Sequence, residues 1–72
     1  MDMRRVVGEN VRRARLAAGL TQEQLAERSG FSQQYLSGLE QGKRNPTIVS
    51  LYELAMALGV SHVDLVSAGP DA

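Results

Sequence analysis

The chain has 72 residues, with eight basic and eight acidic side chains, one histidine and no cysteine. That length makes one small domain with a modest core, which needs well-made helices or a partner to be stable. The composition excludes a disulfide framework and a thiolate metal site, and no apolar run approaches the roughly 20 residues that span a bilayer.

His62 alone makes no metal site, and no metal, cofactor or small-molecule effector is expected. The start, MDMRRVVGEN, has no long apolar region after its arginines and is not read as a signal peptide. A soluble cytoplasmic protein, away from membranes, is the expectation. The net charge is zero, but its distribution is uneven. Five of the eight cations are Arg4, Arg5, Arg12, Arg13 and Arg15. Lys43 and Arg44 form a second group, while the acids are scattered.

Strand-type alternation is absent, and glycines at 19, 30, 42 and 59 divide the chain into helix-length pieces. The first piece runs from about Arg4 to Ala18, with Val7, Val11 and Ala14 on one face and Gly19 as its stop. Gly8 is a weak point in its first turns.

The second piece begins at Thr21, an N-cap with Gln24 three residues on, which makes a capping box. Leu20 and Leu25 staple it, Leu25 and Ala26 face inward, and Gly30 ends it. The third begins at the N-cap Ser32, stapled by Phe31 and Leu36. Leu36, Leu39 and Glu40 point one way. Gln33, Gln34, Ser37, Gly38 and Gln41 point the other way, all polar or small. Each glutamine carries a donor and an acceptor on one planar group, which a base edge in the major groove can match.

After Lys43-Arg44-Asn45-Pro46, Thr47 caps a fourth helix of about Ile48 to Leu58. Its expected core face is Ile48, Leu51, Leu54, Ala55 and Leu58. Val49, Tyr52 and Met56 form a second apolar stripe, continued by Val63 and Val66 on a short fifth helix that is capped by Ser61 and begins at His62. This surface exceeds what one small core needs. It either packs on the first helix or forms a dimer interface, and the dimer is the preferred reading. The expected architecture is all-α: a compact five-helix bundle over residues 1–66, with a disordered tail over 67–72.

The string T-Q-E-Q-L-A, then G-F-S, L-S-x-L-E-x-G, N-P-T and L-x-x-L-A-x-A-L-G-V resembles the helix-turn-helix domain of phage repressors and Cro. Its many bacterial relatives are often called the xenobiotic-response-element type. The resemblance covers about Val7 to Val66. It implies that the third helix lies in the major groove while the second crosses the backbone. By motif position, Gln33 and Gln34 are implied to contact bases, with Ser37 and Gly38 on the next exposed turn. Gln22, Gln41, Lys43, Arg44 and Asn45 fall on phosphate-contacting positions. Arg15 and Glu40 resemble a partly buried ion pair joining the first and third helices. Gly38 departs from the family, which more often has a longer residue there. Tyr35 either packs on the second helix or touches phosphate. Arg4, Arg5, Arg12 and Arg13 read as a solvated face, with the alternative that some reach the DNA backbone.

The expected function is sequence-specific binding of double-stranded DNA by a small transcriptional regulator, a repressor or autoregulator. It acts by occupying an operator as a homodimer. Two recognition helices about 34 Å apart would read an inverted repeat. No paired carboxylates, activated nucleophile or phosphate loop suggests an enzyme. The competing reading is a protein-interaction module, such as an antitoxin or an adaptor, built on the same fold. The controllers of restriction–modification systems lie between the two.

Overall fold

Each turn between helices is closed by a short polar side chain at one end and a glycine or its neighbour at the other. The computed structural model describes residues 2–68 and contains α1 (Met3–Ala17), α2 (Gln22–Ser29), α3 (Gln33–Glu40), α4 (Ile48–Leu58) and α5 (His62–Val66). Thr21 Oγ1 accepts from the Gln24 N–H at 3.1 Å while Gln24 Oε1 accepts from the Thr21 N–H at 2.9 Å, the expected capping box. Ser32 and Thr47 accept from the N–H groups of Tyr35 and Ser50, both at 3.0 Å. Ser61 and Asp64 form a second capping box, and Asp2 caps α1. Gly30, at φ +81°, makes the reversal between α2 and α3 that a residue with a Cβ would resist. The expected range of the first helix is shifted by one residue at each end.

The core is Val7, Val11, Leu20, Leu25, Leu36, Leu39, Leu54, Ala55, Leu58 and Leu65. α1 packs on α3 and α5, α2 on α3 and α4, and α4 on α5. Gly8 is no weak point: it is buried where α1 crosses the end of α3. A Cβ there would collide with the Leu39 carbonyl oxygen and stand 3.1 Å from that of Glu40. Only a glycine lets the two backbones approach so closely.

Asn10 is buried on the core side of α1. Its Nδ2 donates to the Leu65 carbonyl at 3.0 Å and the Ser67 carbonyl at 2.8 Å. Its Oδ1 accepts from Arg13 at 3.2 Å. Asn10 therefore satisfies the carbonyls at the end of α5 and ties that helix to α1. Ser67 Oγ also donates to the Val63 carbonyl at 2.6 Å. Of the tail expected over 67–72, residues 69–72 lie outside the described residues.

One core assignment is corrected. Ile48 is 83% exposed. It shares a flank with Tyr52 and Met56 at i, i+4 and i+8, and the bundle closes instead over Leu54, Ala55 and Leu58. Val49, Tyr52, Met56 and Val63 are exposed as well, so this stripe is not consumed by packing on α1. Ile48, Val49, Tyr52 and His62 line one apolar depression. Among the described residues, no helix is long and apolar enough to cross a membrane.

Candidate nucleic-acid interface

The relation between α2 and α3 is fixed by one buried ionic cluster. Arg15 Nε donates to Glu40 Oε2 at 2.7 Å and Nη2 donates to Oε1 at 3.0 Å, a bidentate pair. The two side chains are 10% and 3% exposed. Arg15 Nη1 also donates to the Leu20 carbonyl at 2.8 Å. Hydrogen bonding by Glu40 raises the Arg15 pKa, against the opposing effect of desolvation, so the guanidinium is charged at every physiological pH. Gln22 Nε2 donates to Glu40 Oε1 at 3.2 Å. The cluster thus joins α1, the start of α2 and the end of α3. Such a pair confers a fixed geometry more dependably than net stability, because desolvation offsets much of the attraction.

On this frame α3 presents Gln33 and Gln34, both exposed at its N-terminal turn. Ser37 and Gly38 are half-buried one turn on. Gln41 Nε2 donates to Ser37 Oγ at 3.3 Å, so these two expected DNA contacts bond each other. Gln22, expected on phosphate, keeps one amide N–H free after bonding Glu40. The loop after α3 is held by N–H donation from Gly42 to the Leu39 carbonyl at 3.0 Å and from Lys43 to the Gly38 carbonyl at 2.9 Å. Lys43, Arg44 and Asn45 are exposed beyond it.

Arg44 does not extend freely from the loop. Its guanidinium carbon lies over the Tyr35 ring, 5.6 Å from the centroid. Tyr35 in turn stacks on Phe31 at 5.2 Å with 22° between the planes. A Cβ on Gly38 would stand 3.1 Å from Arg44 Nε and 3.3 Å from its Cγ. Gly38 thus leaves room for Arg44 to lie back across α3. The cation–π contact is worth about 0.5–1 kcal/mol at an exposed site, enough to bias the rotamer. Arg44 is therefore shared between loop and helix. The sequence offers no signal for this contact, because it depends on the path of the 41–46 loop. Tyr35 thus packs on Phe31, at the turn between the helices.

A tight turn at Gly30, a fixed crossing of two short helices and a polar outer face on the second define a helix-turn-helix unit. A helix-turn-helix family model (HTH_3) matches residues 11–65. The chain belongs to this helix-turn-helix family. An HTH-type transcriptional regulator of Sinorhizobium fredii is 67% identical over 67 residues, covering 93% of this chain and 87% of that protein. The control protein C.SmaI of Serratia marcescens is 44% identical over 61 residues, covering 85% of this chain and 73% of that protein. The restriction–modification controller protein C.Esp1396I has been solved as a tetramer in complex with its natural 35-base-pair operator. That structure superposes with a TM-score of 0.82 at 37% identity, over 90% of this chain and 86% of the other. In helix-turn-helix terms, α2 and α3 are the paired helices, and α3 is the second of the pair.

Proposed function

We propose that this chain is a sequence-specific double-stranded DNA-binding transcription regulator that acts by occupying an operator as a homodimer, without chemistry. The observation that carries this reading is the outer face of α3. It holds exposed Gln33 and Gln34 beside an arginine laid across the same helix, on a frame fixed by Arg15, Glu40 and Gln22. Gln33 and Gln34 are the base-reading residues, with Ser37 and Gly38 offering close approach rather than reach. Lys43, Arg44, Asn45, Gln41 and the free N–H of Gln22 hold phosphates on either side, which sets register and affinity. The N-terminus of α2 adds backbone N–H groups and a positive dipole end for an anion.

The apolar face of α4 and α5 supports the dimer. Val49, Tyr52, Met56 and Val63 are each more than half exposed, and Val66 is 37% exposed. Ile48 extends the same face. A second copy covering this surface would place two α3 helices on one side of a duplex, as an inverted repeat requires. The protein acts in the cytoplasm, at the nucleoid, as a repressor or autoregulator.

Selection from a random duplex library tests the reading. An enriched inverted repeat with half-sites about one helical turn apart, or a multiple of it, is expected. A protein that enriches no sequence and retains no duplex at low salt contradicts it, and points instead to a protein-interaction module.

A further inference from the structure

We propose that Arg5 and Arg12 on α1 form a second phosphate-binding element, which extends the DNA footprint beyond α3 and its loop. This rests on the DNA-binding reading above and adds to it.

Residues 5, 8, 12 and 15 recur at i, i+3, i+7 and i+10, which makes them one stripe of α1. Three contacts fix where that stripe lies. Gly8 meets the carbonyls of Leu39 and Glu40 at the end of α3. Arg15 is bonded to the Glu40 carboxylate. Gly42, at φ +77°, approaches Arg5 so closely that a Cβ there would stand 3.3 Å from the Arg5 Cα. The stripe therefore runs along the C-terminal end of α3 and the start of the loop that carries Lys43 and Arg44. Arg5 is a neighbour of that loop, although 38 positions separate Arg5 from Lys43.

The same contacts sort the five arginines of α1. Arg15 is neutralised by Glu40. Arg13 is bonded to Asn10, on the side of α1 that holds the end of α5. Arg4, loosely paired with Asp2, is set apart by its place: it lines a groove with Val7, Asn45, Pro46 and Val66, toward α5. Arg12 is exposed and enters no ion pair among the described residues. The Arg5 side chain is 78% exposed, and its pair with Glu9 is a loose 3.5 Å contact of the solvent-screened kind. Arg5 and Arg12 are thus the two α1 cations both available and on the α3 flank. Of the two acids nearest that flank, Glu40 is already neutralised by Arg15, and Glu9, between Arg5 and Arg12, holds Arg5 only loosely. On a chain of zero net charge, this concentrates four cations, Arg5, Arg12, Lys43 and Arg44, along one side. A duplex backbone is the ligand whose repeated single charges suit such a row.

The test is the salt dependence of binding to a mixed-sequence duplex of about three helical turns. Each phosphate contact contributes roughly 0.9 to the slope of log K against log salt. In the double variant R5Q/R12Q the slope is expected to fall by roughly 3.6 per dimer, for four lost contacts at about 0.9 each. The charge-conserving R5K/R12K is expected to keep the slope, and R13Q to leave it unchanged. The single variants R5Q and R12Q, each expected to show about half the loss, keep the test available if the pair folds poorly. A slope in R5Q and R12Q equal to the parent's, or an equal fall in R13Q, overturns the proposal. Failure of the unaltered protein to bind any duplex overturns the DNA reading itself, which is a distinguishable result.

Discussion

Gly8→Ala is the sharpest perturbation of this fold, because two effects of opposite sign meet at one atom. In an isolated helix, alanine would be favoured over glycine by about 1 kcal/mol. Here the new Cβ would overlap the Leu39 carbonyl oxygen and press on the Glu40 carbonyl at 3.1 Å. Both obstacles are backbone, so no rotamer change relieves them. α1 must lift from α3 by about 1 Å, an overpacking strain of about 1–3 kcal/mol. The displaced carbonyl also accepts from Gly42 N–H at 3.0 Å, and the bonds between Arg15 and Glu40, at 2.7 and 3.0 Å, span the same crossing. Loosening one or two of these adds about 1–2 kcal/mol. The strain and the loosened bonds together outweigh the propensity gain, and the net expectation is a loss of about 2 kcal/mol. In a domain this small that is a fall of about 10 °C in Tm. Urea unfolding followed by circular dichroism measures it directly. A Gly8→Ala protein as stable as the parent, or more so, would refute the close crossing and with it the placement of the α1 stripe.

Other expectations follow from the same geometry. Gly38→Ala should leave stability unchanged or raise it by up to about 1 kcal/mol, since the neighbour it meets is the exposed side chain of Arg44. The same change should weaken operator binding by displacing that arginine, as a paired unfolding and binding titration would show. Glu40→Gln strands the buried Arg15 charge, and a loss of about 3–5 kcal/mol by chemical denaturation is expected; a loss under about 1 kcal/mol contradicts the buried pair. Tyr52→Asp places a charge in the apolar face of α4 and should give a monomer in analytical ultracentrifugation at micromolar concentration. An unchanged sedimentation coefficient would refute the dimer surface.

The turns were the most legible part of the sequence. Thr21 with Gln24, Ser32 and Thr47 act on N–H groups three residues away, so their spacing alone determines what they bond. The staple partners Leu20, Leu25 and Leu36 are buried for the same local reason. Ile48 departs from its expected place because the two apolar stripes of α4 share its first turn, and periodicity does not say which side the bundle covers. Asn10 is a polar residue among Val7, Val11 and Ala14 on the inward face of α1, which the periodicity alone does not explain. Its partners, the Leu65 and Ser67 carbonyls, lie more than fifty residues away. In the interface, the exposed positions of Gln33 and Gln34 were readable from the helix period. The contact of Arg44 with Tyr35 and Gly38 was not, because no local rule gives the path of a loop. Gly8 as a weak point and Gly38 as a departure from the family have the same cause: the groups packed against them, the end of α3 and the Arg44 side chain, follow from no local rule.

The most direct test of base reading by α3 is the affinity of Gln33→Ala/Gln34→Ala for the selected operator, measured beside a random duplex at the same salt. Both residues are exposed, so the fold should be unaffected. A bidentate base contact is worth about 1–3 kcal/mol of discrimination, so the double variant should lose at least about tenfold in preference for the operator. Its affinity for the random duplex should change little. An operator preference equal to the parent's would contradict the assignment of α3 as the reading element through these two glutamines.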